Sequence, residues 1–152
     1  MRFVKGIVDC EDLPLNISRE NYQDSGLISK LRNVLTRRVI KHLDDEAKRD
    51  GEKYKKWFAD FGQFIKEGIA VDSENKDALF RLLRFVTKNR GQADFVSIDD
   101  YIDKMKDGQE KIYFVVNPDF NQAIKSPYLE PFKNNDSIDV IVLTNNVDEI
   151  LF

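Results

Sequence analysis

Apolar side chains recur at every fourth position between Leu27 and Ala47, and this spacing constrains the fold more than any other feature. It places the apolar residues on one face of an α-helix, which completes a turn in about 3.6 residues. The pattern predicts a long amphipathic helix over residues 25–50. The Asp50-Gly51 pair marks its end, because glycine is favoured just beyond a helix C-terminus.

Two more helices are predicted directly after the first. One covers residues 52–68 and carries an aromatic-rich face. The other begins near Ser73 and turns apolar side chains inward as far as Val86. Three consecutive helices with short connections predict a helical hairpin braced by a third helix.

The pattern changes near residue 90, after a predicted turn at residues 88–92. Residues 111–116 and 139–143 are dense in β-branched and aromatic side chains, which predicts two buried strands. Ser97 precedes two acids and is expected to cap a short helix, and further helical segments are predicted around the strands. A strand, helix, strand, helix order predicts a small parallel α/β lobe.

The predicted fold class is therefore α/β, in three parts. Residues 1–24 are the terminal strand and loop of one lobe, residues 25–90 a three-helix connector, and residues 91–152 a second small α/β lobe. A chain of 152 residues is long enough for one domain or two small lobes. Both ends look cut within elements, so we interpret the chain as a fragment whose second lobe is truncated at its C-terminus.

Composition narrows the classes of function. The net charge is −3, and charged residues of both signs are interspersed, which favours neither a nucleic-acid nor a membrane binder. Residues 30–41 hold five basic side chains and no acid. That run is a solvated helix face or a contact for an acidic partner. Cys10 is the single cysteine, so no intrachain disulfide forms and an intracellular, reducing compartment is expected.

Few residues offer conventional catalytic or metal chemistry. The seven glycines form no phosphate-binding loop, and one histidine with one cysteine cannot build a soft metal site. The acids at residues 44–46 sit on a helix and diverge by about 100° between neighbours, so no metal site is predicted there. The sequence suggests no serine or cysteine nucleophile near His42. A surface or partly buried histidine is therefore favoured over a catalytic one.

The loop at residues 8–23 is the exception. A strand-like run ends at a cluster of acids, and a proline then begins an extended turn that presents Asn16, Ser18, Arg19 and Gln23 ahead of the long helix. A planar guanidinium beside amide groups suits a phosphate, because it donates in parallel to two oxygens. The residues alone leave two roles for Arg19: a structural cap, or a group delivered to a γ-phosphate.

Several motifs of this chain resemble the middle domain of the heat-shock protein 90 chaperones. The loop reads "VDxEDLPLNxSRExxQ", close to the family's signature. Further similar segments follow in the family's order over essentially the whole chain: "FIKEGI" at 64–69, "RLLRF" at 81–85, "SIDDY" at 97–101, "QEKIYF" at 109–114, "SPYLE" at 126–130 and "VDE" at 147–149.

This resemblance implies a function beyond what composition indicates. Family members are dimeric, ATP-driven chaperones whose nucleotide, with Mg²⁺, is bound on a separate N-terminal domain of the same chain. Carried onto this sequence, Arg19 is the catalytic contact to the γ-phosphate, supported by Gln23 and Asn16. The isolated fragment then holds no cofactor and is not expected to hydrolyse ATP. Client proteins and cochaperones are the other implied partners, with no nucleic acid and no membrane.

The chain also departs from the family's pattern. Cys10 replaces the usual serine, Asn21-Tyr22 replaces a more apolar pair, and Pro131 interrupts a helix that the family usually continues. The segment "KYKKWFADFG" at 53–62 resembles the mitochondrial branch of the family more than the cytosolic or reticulum branches. The parent protein is therefore expected in the mitochondrial matrix or in the cytoplasm.

The aromatic-rich second helix suggests a different kind of site. It carries more rings than one helix face readily buries, although core packing explains most of them. Trp57, Tyr54 and Phe61 are therefore candidates for an apolar surface that binds clients. In this alternative, the chain is a non-catalytic interaction module for clients or cochaperones and Arg19 is structural.

Overall fold

The computed structural model describes residues 3–9, 26–133, 137–145 and 147–151. Its helical part consists of α1 (Gly26–Arg49), α2 (Gly51–Val71) and α3 (Lys76–Arg81). The first two confirm the predicted long helices. Asp50 lies between them, and its side chain accepts a hydrogen bond from the backbone N–H of Lys53, so it caps the start of α2. Within the described residues, no helix is long and apolar enough to cross a bilayer.

The second part is built on a four-stranded sheet. Its strands are β1 (Phe85–Thr87), β2 (Gly91–Val96), β3 (Phe114–Val116) and β4 (Ile141–Leu143), in the order β2-β1-β4-β3. Strands β3 and β4 are parallel, whereas β1 is antiparallel to both β2 and β4. The α/β class is confirmed, and the two predicted strands pair in parallel as β3 and β4, but the sheet as a whole is mixed and not parallel. The sheet is mixed because β1 and β2 form an antiparallel hairpin.

The hairpin also corrects the third helix. Helix α3 ends at Arg81, and Val86 lies in β1 instead of continuing the helix. A short run of apolar residues fits the helical period of about 3.6 residues as well as the strand period of about 2. Only the β-branched and aromatic content of residues 85–87 favours a strand. Gly91 opens β2 with a φ of +79°, a left-handed conformation that glycine adopts without strain. The turn therefore covers residues 88–90 only.

Short helices connect the strands of this part. Ser97 caps α4 (Ile98–Ile102): its hydroxyl accepts from the Asp100 N–H while the Asp100 carboxylate accepts from the Ser97 N–H, which confirms the predicted cap. The other short helices are α5 (Phe120–Ala123), a 3₁₀ helix (Pro127–Phe132) and α6 (Asp148–Leu151).

The core covers both faces of the sheet. Alternate residues of a strand point to opposite faces. Ile141 and Leu143 of β4 join the cluster that contains the side chains of α2 and α3, whereas Val142 joins a second cluster with α5 and the 3₁₀ helix. The helical part and the sheet thus share one continuous apolar layer. Strand β1 belongs to that sheet although it precedes residue 90, and the predicted three-part division stays a prediction.

The predicted strand near the N-terminus is absent from the described residues. Residues 4–9 carry no regular structure and are exposed. A strand needs a paired neighbour, and residues 4–9 pair with none of the four strands of the described sheet.

Candidate functional site

The residues predicted to contact a nucleotide are Arg19, Gln23 and Asn16, and they lie outside the described residues, as does Cys10. The structure describes the two segments that this loop joins. On one side is the extended segment of residues 3–9, and on the other is the first turn of α1 at Gly26.

The segment before the loop is attached to α2 by one aromatic side chain. The ring centroid of Phe3 lies 5.6 Å from that of Trp57, 5.6 Å from that of Phe61 and 5.9 Å from that of Phe64. The contact with Trp57 is edge-to-face, with the ring planes 66° apart, which is a favoured arrangement of aromatic quadrupoles. We call the three α2 rings the Phe3 socket. Phe3 itself is partly buried against the main core cluster.

Tyr54 is a core residue, which corrects its choice as a surface candidate. Its side chain is 3% exposed, and its hydroxyl donates a hydrogen bond of 2.8 Å to the carbonyl oxygen of Leu82. The Arg84 guanidinium lies 4.7 Å from the ring centroid. Burial raises the pKa of Tyr54 to about 12, with Arg84 opposing the shift. Tyr54 thus ties α2 to the end of α3, and almost none of its side chain is exposed for contact with another molecule.

Trp57 and Phe61 are only partly buried. Their rings stack with centroids 5.6 Å apart and planes at 19°. On the side of Trp57 toward α1 there is a cleft of about 490 Å³ with apolar walls formed by Leu43, Tyr54 and Trp57. The remaining residues that line it are His42, Glu46, Asp50 and Lys53. The structure therefore leaves these two rings partly accessible, and it covers them in part with Phe3.

An ion pair joins the first turns of α2 to strand β2. The Lys55 ammonium lies 2.7 Å from a carboxylate oxygen of Asp94 and 2.9 Å from one of Glu52. Its hydrogen bond holds the pKa of Asp94 below the ordinary 3.8, and the same bond raises the pKa of Lys55 above 10.5. Both shifts mean that the ionised pair stabilises the fold.

This pair predicts a pH dependence of stability. The Asp94 contribution is complete above pH 3.8 and is lost as the pH falls through its lower folded-state pKa; the Lys55 contribution is complete below pH 10.5 and is lost as the pH rises through its higher one. Urea titrations at different pH values give the unfolding free energy, and its fall at low pH is the acid limb of the curve. We expect Asp94→Asn to flatten this acid limb. Asp107→Asn, at an exposed turn, is the matched control and should keep that limb. Identical acid limbs in the wild type and Asp94→Asn would contradict the assignment.

A second ion pair is buried between α2 and α6. The Lys66 ammonium lies 2.7 Å from Oδ1 of Asp148, and the two side chains are 13% and 2% exposed. Oδ2 of Asp148 accepts a hydrogen bond of 3.2 Å from the backbone N–H of Asn145, at the end of the chain that leaves β4. The sequence analysis did not predict this pair, because nothing in the sequence around Lys66 or Asp148 indicates that these two side chains meet.

The basic run on α1 faces solvent. Arg37, Arg38 and Lys41 are exposed, and Arg37 and Lys41 line an open groove of about 670 Å³ together with Asp44 and Arg81. His42 is exposed as well. Among the described residues, no three His, Cys, Asp or Glu side chains are grouped so as to hold a metal ion.

The amino-acid sequence is similar to those of known molecular chaperones. The chain is 45% identical to the chaperone protein HtpG of Desulfitobacterium hafniense over 152 residues and 48% identical to that of Buchnera aphidicola over 150, covering 100% and 98% of this chain. It is 49% identical to the mitochondrial TNF receptor-associated protein 1 homolog of Dictyostelium discoideum over 154 residues, with 99% of this chain covered.

The chain belongs to the heat-shock protein 90 family, since the profile described as "Hsp90 protein" matches residues 1–152. It spans 22% of the length of the Dictyostelium protein, 25% of the Desulfitobacterium protein and 24% of the Buchnera protein. The resemblance found in the motifs is confirmed at the level of the family.

Proposed function

We propose that this chain is the middle-domain segment of an ATP-dependent chaperone that assists protein folding. In this proposal, Arg19 is the catalytic residue and contacts the γ-phosphate of ATP bound on a separate N-terminal domain. The observation that carries the proposal is the family match over residues 1–152, which includes the whole loop signature around Arg19. The structure supports it by showing that both segments next to the loop are joined to one helical layer.

The chemistry of the loop fits this role. A guanidinium stays protonated at every physiological pH and donates two parallel hydrogen bonds to phosphate oxygens. Charge on those oxygens is redistributed during phosphoryl transfer, and a positively charged donor supplied from another domain stabilises the transition state. Gln23 and Asn16 are proposed to hold the loop and reach the same anion. Because the sequence contains no glycine-rich phosphate loop, ATP and Mg²⁺ are proposed to bind in the intact parent outside this segment.

The proposed partners follow from the same assignment. They are the N-terminal nucleotide domain of the same chain, client proteins and cochaperones, in a homodimeric parent. The relatives carry names that place one in mitochondria and describe others only as bacterial chaperones. For this chain we propose the mitochondrial matrix or the cytoplasm.

A segment exchange tests this function. The D. hafniense HtpG, in full length, receives this chain in place of its matched residues, and ATP turnover and refolding of a denatured client enzyme are measured. We expect the chimera to retain both activities and the chain alone to show no turnover. A folded chimera that binds ATP without hydrolysing it, or turnover by the chain alone, would contradict the proposal.

The cleft beside Trp57 favours a second candidate function. Its apolar walls and the partly accessible rings of Trp57 and Phe61 fit an apolar side chain of a client, as in a non-catalytic interaction module. We expect Trp57→Ala to weaken client capture by the chimera about tenfold, because aromatic anchors dominate such contacts. Val71→Ala, which removes an exposed apolar side chain elsewhere on α2, is the control. Unchanged capture in Trp57→Ala would remove this candidate.

A further inference from the structure

A groove between α1 and α3 gathers three cationic side chains. Arg37 and Lys41 lie one turn apart on α1, so they project from the same face of that helix. Arg81 lies in the last turn of α3, which packs against α1. All three side chains are exposed and line an open groove of about 670 Å³. We call this surface the α1–α3 groove.

The fold leaves the positive charge of this groove without a counter-ion. Within the part of the chain that the structure describes, no carboxylate forms an ion pair with Arg37, Lys41 or Arg81. Asp44 also lines the groove, but its carboxylate lies 2.6 Å from the ammonium of Lys48. Like charges one turn apart on a helix repel one another, so an anion in the groove would stabilise this arrangement.

The groove also offers apolar surface among its charges. Ile40 lines it and is 6% exposed, so its side chain belongs mostly to the core. Ala78 of α3 lines it as well and is exposed, and its small side chain leaves room for a larger one. An anionic ligand that fits this surface therefore carries an apolar group between its charges.

The acids and the missing rings decide what kind of anion fits. The half-buried carboxylate of Asp44 repels a doubly charged phosphate more strongly than a singly charged carboxylate. A second acid, Asp77, lies one turn before Arg81 on α3 but does not line the groove. Among the described residues, no aromatic side chain lines it, so nothing there stacks on a nucleic-acid base. These features favour a peptide over a nucleic acid.

We propose that the α1–α3 groove binds an acidic peptide segment of a partner protein. Carboxylates of the segment pair with Arg37, Lys41 and Arg81, and an apolar side chain between them packs on Ile40 and Ala78. Clusters of arginines recognise acidic motifs in this way, because each guanidinium donates two parallel hydrogen bonds to a carboxylate. The inference goes beyond the proposed function, since it involves no nucleotide and no residue of the loop before α1.

The test measures the Kd of a labelled peptide for the full chain by fluorescence anisotropy at low ionic strength, where screening is weak. The probe is a fluorescein-labelled peptide of glutamates around one central leucine. We expect the triple variant Arg37→Gln, Lys41→Gln, Arg81→Gln to raise its Kd about tenfold or more. Each exposed ion pair changes the Kd by about two- to threefold, and the three factors multiply.

A matched triple variant separates the groove from the overall charge of the chain. Arg38→Gln, Lys56→Gln and Lys106→Gln remove the same number of exposed cations, and none of the three lines the groove. This control should keep the wild-type Kd within about twofold. Equal rises in the two triple variants would overturn the proposal, as would no binding of the peptide by the wild type.

Two further probes identify the occupant. The same peptide with serine in place of leucine should bind about threefold more weakly, since the apolar contact is lost. Polyuridylate RNA should bind more weakly than the acidic peptide. Equal binding of the leucine and serine peptides would refute the contact with Ile40 and Ala78. Tighter binding of the RNA, abolished by the groove variant, would show that the groove takes a nucleic acid and overturn the peptide assignment.

A variant with the opposite expected sign excludes a merely structural effect. Asp44→Asn removes the negative charge from the groove and frees the Lys48 ammonium, so the Kd of the acidic peptide should fall about twofold. Damage to the fold would weaken binding instead. An unchanged or higher Kd in Asp44→Asn would contradict the electrostatic account.

Discussion

Replacing Arg19 by alanine in the full-length chimera is expected to lower kcat for ATP hydrolysis about a hundredfold or more. Arginines supplied to the γ-phosphate contribute about 10³–10⁵ to the rate in other phosphoryl-transfer enzymes, because they stabilise charge in the transition state. The Kd for ATP should stay near its wild-type value, since the contact is made mainly in the reacting state. Turnover and equilibrium nucleotide binding are measured on the same preparation.

Two matched variants sharpen this prediction. Arg19→Lys keeps the charge but loses the planar two-pronged donor, so we expect an intermediate kcat. Arg38→Ala removes an exposed arginine of α1, outside the loop, and should leave kcat unchanged. A kcat for Arg19→Ala equal to that of Arg38→Ala would make the loop arginine structural.

Breaking the buried ion pair between α2 and α6 is expected to destabilise the fold strongly. Lys66→Met leaves the carboxylate of Asp148 buried without its cation, and Asp148→Asn leaves the Lys66 ammonium without its anion. Removal of one partner of a buried pair costs about 3–5 kcal/mol of unfolding free energy. Asparagine keeps the side-chain oxygen that accepts from the Asn145 N–H, so that variant isolates the charge. Urea unfolding of the chain measures the loss.

The double variant Lys66→Met with Asp148→Asn provides the control. It removes both charges, so its loss should be smaller than the sum of the two single losses. Lys48→Met with Asp44→Asn repeats the change at an exposed pair on α1, where the expected effect is below about 1 kcal/mol. Single losses at Lys66 and Asp148 that add without coupling would show that the pair does not act as one unit.

The long helices were predictable because their apolar period extends over many turns. The α1 and α2 boundaries fall within a few residues of those predicted, and the Ser97 cap was recognised from its position ahead of acids. The hairpin of β1 and β2 was not predicted. Its first strand, β1, has three residues, which are too few to show a period of two. The strands that pair with β1 in the sheet are determined by contacts between residues far apart in the sequence.

The candidate functional residues were also predictable only in part. Local motifs identified the loop and the aromatic helix, but burial depends on tertiary neighbours. Sequence alone could not show that the Tyr54 hydroxyl reaches the Leu82 carbonyl while Trp57 keeps a partly exposed ring. The pairing of Lys66 with Asp148 and the seating of Phe3 likewise join residues far apart in the chain, and only the fold reveals them.

Photolabelling from the nucleotide tests the central claim most directly, since that claim is a contact between Arg19 and the γ-phosphate of ATP bound elsewhere. An ATP analogue with a photoreactive azidoanilide on its γ-phosphate is bound to the full-length chimera at saturation and irradiated, and the labelled peptides are located by mass spectrometry. Our account predicts label within residues 10–25 of this chain as well as on the N-terminal domain, with excess ATP suppressing both. Label confined to the N-terminal domain, in a chimera that turns over ATP normally, would contradict it.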